Sequence, residues 1–286
     1  MNADDGLMTT PISVIVLTYN EEQNIGRCLD SVAWCDDVVV LDSQSTDATR
    51  DIAREHGARV EVRAFDNYAN QRNHALHEIS YRHAWILMLD ADETVPVDLE
   101  QEIESAITSA DAAVSLYRMR RKDYFMGTWL RHSTNFSSLW FGRLMRLGEV
   151  WVERAINEEY HTGGESRDLQ SALNHYPFNN GLRAWLDKHN RYSSMEAELI
   201  VSGECGQLRL RELVDHDPVV RRKALKALVY RLPGRPLVMF VGRYFLSGGI
   251  LDGRAGLTFC LLKTIYEYMI DAKVKELRRR AAGLPV

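Results

Sequence analysis

The sequence predicts an α/β protein: a mostly parallel central sheet flanked by helices, followed by a helical C-terminal region. Three observations carry that expectation. Short apolar runs of strand length alternate with amphipathic segments of helical length through the first hundred residues. The runs are rich in Val, Ile and Leu with little polar alternation, as strands buried on both faces are. Polar clusters follow three of those runs directly, where strands of a parallel sheet leave the core.

The first strand is residues 12–18 (ISVIVLT). A helix is expected over 21–33, with Ile25, Leu29 and Val32 at helical spacing and Asn20 in the N-cap position. Residues 38–41 (VVVL) read as the second strand and 47–56 as the second helix, closed by Gly57. A third strand covers 60–64, a third helix 69–79 and a fourth strand 85–89 (WILML). Pro96 opens a helix to residue 107, at a position where its missing N–H costs nothing. Such alternation implies right-handed crossovers and a parallel sheet.

Beyond Asp111 the pattern turns irregular and aromatic. Residues 113–119 read as a strand, 144–152 as one or two more, 181–200 as a helix, and 257–280 as the last helix. The expected organisation is a tail (1–10), one large domain over 11–210 with halves meeting near 110, and a helical region over 211–286. No internal repeat is visible.

The 286 residues are 45% hydrophobic and 26% charged with only 7 Pro and 18 Gly, which excludes collagen-like and mostly disordered chains. A net charge of -5 argues against bulk nucleic-acid binding through phosphate neutralisation. The four cysteines, Cys28, Cys35, Cys205 and Cys260, form no Cys-x-x-Cys pair and read as free thiols of a reducing compartment. Residues 1–10 carry Asp4 and Asp5 without a basic start or an apolar run, unlike a signal peptide. Charges at Arg243, Asp252, Arg254, Lys263 and Glu267 interrupt the longest apolar stretches, so no spanning helix is expected and the chain reads as cytoplasmic.

Asp90 and Asp92 close the fourth strand as Asp-x-Asp, followed by Glu93. Two carboxylates there suit Mg²⁺ or Mn²⁺, which bind carboxylates together with substrate phosphates; the alternative is a solvated acidic loop. Asp42, closing the second strand, has the chemistry to accept from a nucleobase N–H or a ribose hydroxyl, or else to serve as a turn residue. Arg72, at the opening of the third helix, suits a diphosphate, against the alternative of a solvated surface side chain. His175 is a candidate third metal ligand, or simply a packed and hydrogen-bonded ring. Glu158 and Glu159 are candidates for a general base, with Asp123 next, or they are ordinary surface charge. No G-x-G-x-x-G or Walker A sequence is present. Residues 218–251 hold seven Lys/Arg and no acid among apolar neighbours, which suits docking on an anionic membrane surface.

Taken together, residues 13–24 (SVIVLTYNEEQN), 39–49 (VVLDSQSTDAT), 69–74 (ANQRNH) and 86–93 (ILMLDADE) resemble family 2 glycosyltransferases of the GT-A fold, whose central sheet is Rossmann-like. Residues 139–146 (LWFGRLMR), 156–158, 175–177 (HYP) and 248–253 (GGILDG) resemble the branch containing the lipopolysaccharide-core β-1,4-glucosyltransferases. The resemblance implies an inverting transfer from a nucleotide-diphospho-sugar, a UDP-sugar foremost, to a glycan or lipid-linked acceptor. Its cofactor would be Mn²⁺ or Mg²⁺, and its setting the inner face of the cytoplasmic membrane. It further implies that Thr18, Asn20 and Glu21 line the nucleotide pocket, that Asp42 meets base or ribose, and that Arg72 lies near base and diphosphate. Asp90 and Asp92 would hold the metal and sugar-nucleotide. The branch commonly has a His-Glu pair where this chain has Asn157-Glu158; the Glu is retained and the His is not, and the retained Glu158 is the base that the resemblance implies.

The aromatic loop over 124–140 would offer flat surfaces to a sugar acceptor. Two rival readings are a sugar-nucleotide nucleotidyltransferase, which needs a Gly-rich phosphate loop after the first strand, and a non-catalytic sugar-nucleotide-binding membrane scaffold.

Overall fold

The computed structural model describes residues 11–134, 136–153, 159–203, 211, 214, 221, 228 and 234–286. In chain order come β1 (Ile12–Thr18), α1 (Ile25–Asp30), β2 (Val38–Asp42), α2 (Thr49–Glu55), β3 (Arg59–Val62) and α3 (Tyr68–His77). Next are β4 (Trp85–Asp90), β5 (Glu93–Thr94), α4 (Val97–Thr108), β6 (Val114–Phe125), β7 (Thr128–Trp129), β8 (Phe141–Arg146), β9 (Val150–Glu153), β10 (Glu159–Thr162) and β11 (Glu165–His175). Helices close the chain: α5 (Gly181–Ser202), α6 (Arg235–Val241), a π-helical turn (Gly242–Leu246), a 3-10 turn (Gly249–Asp252) and α7 (Gly253–Ala281).

Two compact units result, residues 1–124 with 135–180, and residues 125–134 with 181–286. In the first, the sheet runs β3-β2-β1-β4-β8-β6-β11-β5, with β3, β2, β1 and β4 parallel. Alternate residues of β1 serve opposite faces, which is why its sequence is apolar at every position but Ser13 and Thr18. Val14 and Val16 pack with Cys28, Leu29, Leu99 and Ile103 on one side. Ile15 packs with Leu41, Ala75, Leu76 and Met88 on the other.

The expected α/β architecture is the observed one, with local differences. The first helix begins at Ile25 rather than residue 21, because Asn20 is left-handed at φ 54° and cannot serve as an N-cap. Its loop is tied to the next instead: the Asn20 N–H donates to Ser45 Oγ at 2.8 Å, and the Glu21 N–H to Thr49 Oγ1 at 2.8 Å. Strand β6 continues past residue 119, where the sequence pattern ends it, through Arg120, Arg121, Lys122 and Asp123. They hold because β11 pairs with them in parallel, His175 opposite Asp123.

The second unit does not begin at residue 211. Helix α5 belongs to it, since Ala197 on α5 is buried against Ile270 and Val274 on α7. Of the basic stretch, Arg222, Lys223, Lys226 and Arg231 lie outside the described residues. Among the described residues no single helix is long and apolar enough to cross a membrane.

Candidate active site

Register brings the polar strand ends together. Thr18 pairs with Asp42, and Leu17 with Asp90, so the three polar clusters share the carboxyl edge of adjacent strands. Strand β8 enters antiparallel between β4 and β6, which sets its N-terminal residues beside the C-terminal end of β4. That delivers Arg143 to Asp90. On the far side, β5 pairs with β11 so that Glu93 faces His175, and His175 in turn faces Asp123 on β6.

The outcome is a buried charge cluster. Asp90 Oδ1 accepts from Arg72 Nη2 at 3.0 Å, and Oδ2 from Arg143 Nη2 at 2.6 Å. Glu93 Oε1 accepts from Arg143 at 2.7 Å and Arg121 at 3.2 Å, while Oε2 accepts from the Asp90 N–H at 3.1 Å. Burial pushes the Asp90 carboxyl up, but Arg143, then Arg72 and Arg121, outweigh it and hold the group well below the ordinary carboxylate range.

His175 bridges two carboxylates. Its Nδ1 lies 2.6 Å from Asp123 Oδ1 and its Nε2 3.2 Å from Asp92 Oδ2. Burial and the nearby Arg121 push its pKa down, but the Asp92 charge and the two hydrogen bonds prevail and raise it to about 9. The ring is therefore an imidazolium at neutral pH. Asp123 is itself held below its ordinary range, the His175 hydrogen bond and charge outweighing burial.

Several expectations need revision. Arg72 does not open its helix: α3 starts at Tyr68, capped by the Asn67 side chain accepting from the Asn70 N–H at 2.9 Å. Arg72 is one turn further in, buried, and turned to Asp90. Asp42, expected to meet a base or ribose, is sealed from solvent; its oxygens accept from the Ser45 N–H at 2.9 Å and the Ser45 hydroxyl, with Arg50 Nε at 3.7 Å. It shapes the loop after β2. Asn20 accepts from the Thr46 N–H at 2.8 Å, and Glu21 from Asn24 at 2.7 Å and Asn180 at 2.9 Å. Thr18 Oγ1, in contrast, is buried with no hydrogen-bond partner among the described residues. Glu158 lies outside the described residues. Of the aromatic loop, Tyr124 stacks on Tyr176 at 5.2 Å, and Phe136 and Trp140 flank the Arg120 guanidinium.

Among the described residues no cluster of three or more His, Cys, Asp or Glu is arranged to hold a metal ion. Each Asp90 oxygen already accepts from a guanidinium group, and both His175 nitrogens face carboxylates, so the ring offers no lone pair to a cation and Asp90 is charge-compensated by Arg72 and Arg143. Asp92 fits a divalent ion as a single carboxylate ligand, the kind of site Mg²⁺ takes when substrate phosphates supply the other oxygens.

Arg121 and Arg143 escaped the sequence reading, and Glu93 was noted without a role. Arg143 stands in the quoted LWFGRLMR segment, but only the antiparallel entry of β8 aims it at the strand end.

A Glycosyl transferase family 2 profile matches residues 13–175, the segment that carries the sheet and this cluster. The lipopolysaccharide core biosynthesis glycosyltransferase LpsC of Rhizobium meliloti (strain 1021) is 24% identical over 281 residues, 92% of each chain. An uncharacterized glycosyltransferase of Rickettsia bellii (strain RML369-C) is 40% identical over 104 residues, 36% of this chain and 35% of that one. Among solved structures, glucosyl-3-phosphoglycerate synthase from Mycobacterium tuberculosis in complex with Mg²⁺ and uridine-diphosphate aligns with 47% of this chain and 56% of that one. The alignment has 21% identity and a TM-score of 0.35, too distant to bear on the site. With the matched profile spanning more than half of its length, the chain belongs to glycosyl transferase family 2.

Proposed function

We propose that the protein moves a sugar from a nucleotide-diphospho-sugar, a UDP-sugar foremost, to a glycan or lipid-linked acceptor in lipopolysaccharide-core or related cell-surface polysaccharide synthesis. The observation that carries this reading is the carboxyl edge at which Thr18, Asp90 and Asp92 converge beside Arg72 and Arg143. A hydroxyl without a partner among the described residues, set at the carboxyl edge of a parallel sheet beside Asp-x-Asp carboxylates, suits a nucleoside diphosphate and its metal.

In the proposed reaction the acceptor hydroxyl oxygen attacks the anomeric carbon as the bond to the diphosphate breaks, so one displacement inverts the centre. Glu158 takes the hydroxyl proton. Asp92 would hold Mn²⁺ or Mg²⁺, and the ion would supply positive charge to the departing diphosphate. His175, fixed by Asp123, orients the Asp92 carboxylate. Arg72 and Arg143 hold Asp90 ionised and aligned, which favours donor hydroxyl groups as its partners. The cations over 218–251 other than Arg235, which is buried in ion pairs with Glu267 and Asp271, support docking on the anionic inner face of the cytoplasmic membrane.

The test is a screen of UDP-, GDP- and dTDP-sugars for release of nucleoside diphosphate with Mn²⁺ or Mg²⁺. Turnover of one donor that ceases on chelation supports the reading; no release from any donor, with an acceptor extract present, overturns it.

A further inference from the structure

In the second unit, the segment from residue 237 to 268 is built inside out. Its exposed residues are Leu237, Val238, Val241, Phe245, Leu246, Ile250, Leu251, Leu257, Leu261, Ile265 and Tyr268, with Ser247, Gly253 and Arg254 as the exceptions. No exposed acid occurs among them. Arg243 is half-buried, and Asp252, Lys263 and Glu267 are turned to partners. Asp252 is buried and accepts from the Ser133 N–H at 2.6 Å and the His132 N–H at 3.0 Å. Lys263 lies over the Tyr266 ring at 5.3 Å, and Glu267 pairs with buried Arg235 at 3.2 Å.

The apolar residues form two stripes. Leu237, Val241 and Phe245 recur every four residues on one leg, and Leu257, Leu261, Ile265 and Tyr268 every three to four on the other. The legs, residues Arg235–Leu246 and Gly249–Ala281, together have the length and composition of a membrane span but are bent by 72°. The shorter leg, 12 residues at 1.5 Å each, is about 18 Å long, well under the ~30 Å of a bilayer core.

The bend is fixed rather than loose. Gly248 adopts φ 80°, and a Cβ on Gly256 would fall 2.3 Å from the Gly249 carbonyl oxygen. Three backbone N–H groups at the break are bonded within it, as immersion in lipid favours. The Ser247 N–H donates to Gly242 O at 2.8 Å, Gly248 to Phe245 O at 3.3 Å and Leu251 to Gly248 O at 2.8 Å.

We infer that this bent helix pair enters one leaflet of a lipid bilayer apex first, Leu246, Ile250 and Leu251 leading, and that the basic stretch only supplements it. The inference rests on the membrane-docked reading above and replaces a purely electrostatic attachment with insertion. An apolar outer surface bearing Arg254 and no acid matches an anionic leaflet; burial of its side chains is insensitive to salt, whereas cation–lipid attraction is screened.

The test is flotation of the full chain with phosphatidylcholine vesicles, with or without phosphatidylglycerol, in 0.1 M and 1 M NaCl. Wild type is expected to stay on mixed vesicles through the 1 M wash within about twofold. Leu246→Asp/Leu251→Asp, at positions 84% and 72% exposed, should lower partitioning at least tenfold. Leu246→Ser/Leu251→Ser, polar without added charge, should lower it in the same direction with an unchanged circular dichroism spectrum. Both should hydrolyse soluble donor within twofold of wild type. Full release of wild type at 1 M NaCl, or unaltered binding by both variants, overturns insertion. So does a dimer that these variants dissociate while no form binds vesicles, since the face would then cover a second copy. A wild type that floats but hydrolyses no donor overturns the transferase reading and leaves insertion standing.

Discussion

The Arg143 guanidinium lies 2.7 Å from the Glu93 carboxylate, and neither side chain reaches solvent (2% and 0% exposed). A dry ion pair survives only when the remaining donors and acceptors are also used. Here Glu93 takes a second guanidinium from Arg121 and the backbone N–H of Asp90, and Arg143 passes on to Asp90. The pair thereby fixes the strand end from which the Asp-x-Asp carboxylates emerge.

Arg143→Met should destabilise the protein by about 3–5 kcal/mol, because it leaves two carboxylates facing a vacated site. Denaturant unfolding measures this. Arg143→Met/Glu93→Gln should recover part of the loss, and equal stability of the single variant and wild type would show that the pair contributes nothing.

Asp92→Ala should reduce donor turnover at least a hundredfold while costing stability about 1–3 kcal/mol, since the Asp92 side chain is only 15% exposed but His175 keeps Asp123 as a partner. Dependence on added Mn²⁺ should disappear with it. Steady-state rates across a metal titration check both points, and near-normal turnover would reject Asp92 as the metal holder.

Glu158→Gln keeps the side chain's shape but removes the proton acceptor. Donor binding, followed by calorimetry, should persist while transfer falls by two or more orders of magnitude. An active Glu158→Gln beside a dead Glu159→Gln would shift the assignment by one residue.

His189 supplies a pH dependence. Its ring stacks on Trp185 at 3.6 Å, and its Nε2 lies 3.4 Å from Lys263 Nζ. Burial first, then the Lys263 charge, lowers its pKa from 6.5 to about 4. The unfolded chain therefore takes up this proton before the folded one does. The contribution is complete above pH 6.5 and is lost as pH falls toward 4. Discounted for solvent screening, it amounts to roughly 1 kcal/mol. Thermal unfolding of wild type should drop by a few degrees between pH 7 and pH 4.5 relative to His189→Gln; parallel curves would contradict it.

Gly256→Ala should destabilise the second unit by about 3 kcal/mol, because the added Cβ meets Gly249 O at 2.3 Å and Asp252 Cβ at 2.7 Å. Backbone atoms cannot yield as a side-chain tip does. A melting temperature equal to wild type would mean that the turn relaxes freely.

Much of the fold was legible. The apolar runs at β1, β2 and β4 have one stable arrangement, a sheet covered on both faces, and Asp42, Asp90 and Asp92 stand at their ends in the sequence itself. Strand β6 was cut short because a run such as RMRRKD has no apolar face of its own. It becomes a strand only through β11, whose register sets Asp123 against His175. The α1 boundary was misplaced for the opposite reason: Asn20 has good capping chemistry, but Ser45 and Thr46 on a distant loop claimed its backbone and side chain.

The sequence by itself determined the sheet, its carboxyl edge and the Asp-x-Asp motif, because local periodicity and strand-end chemistry reside in neighbouring residues. Which charges meet there was decided by the tertiary structure alone. Arg72, Asp90, Arg143 and His175 are separated by up to 103 positions in the chain, and a carboxylate or guanidinium in isolation prefers water. Only strand order and register, the antiparallel entry of β8 above all, bring opposite charges close enough to repay their removal from solvent.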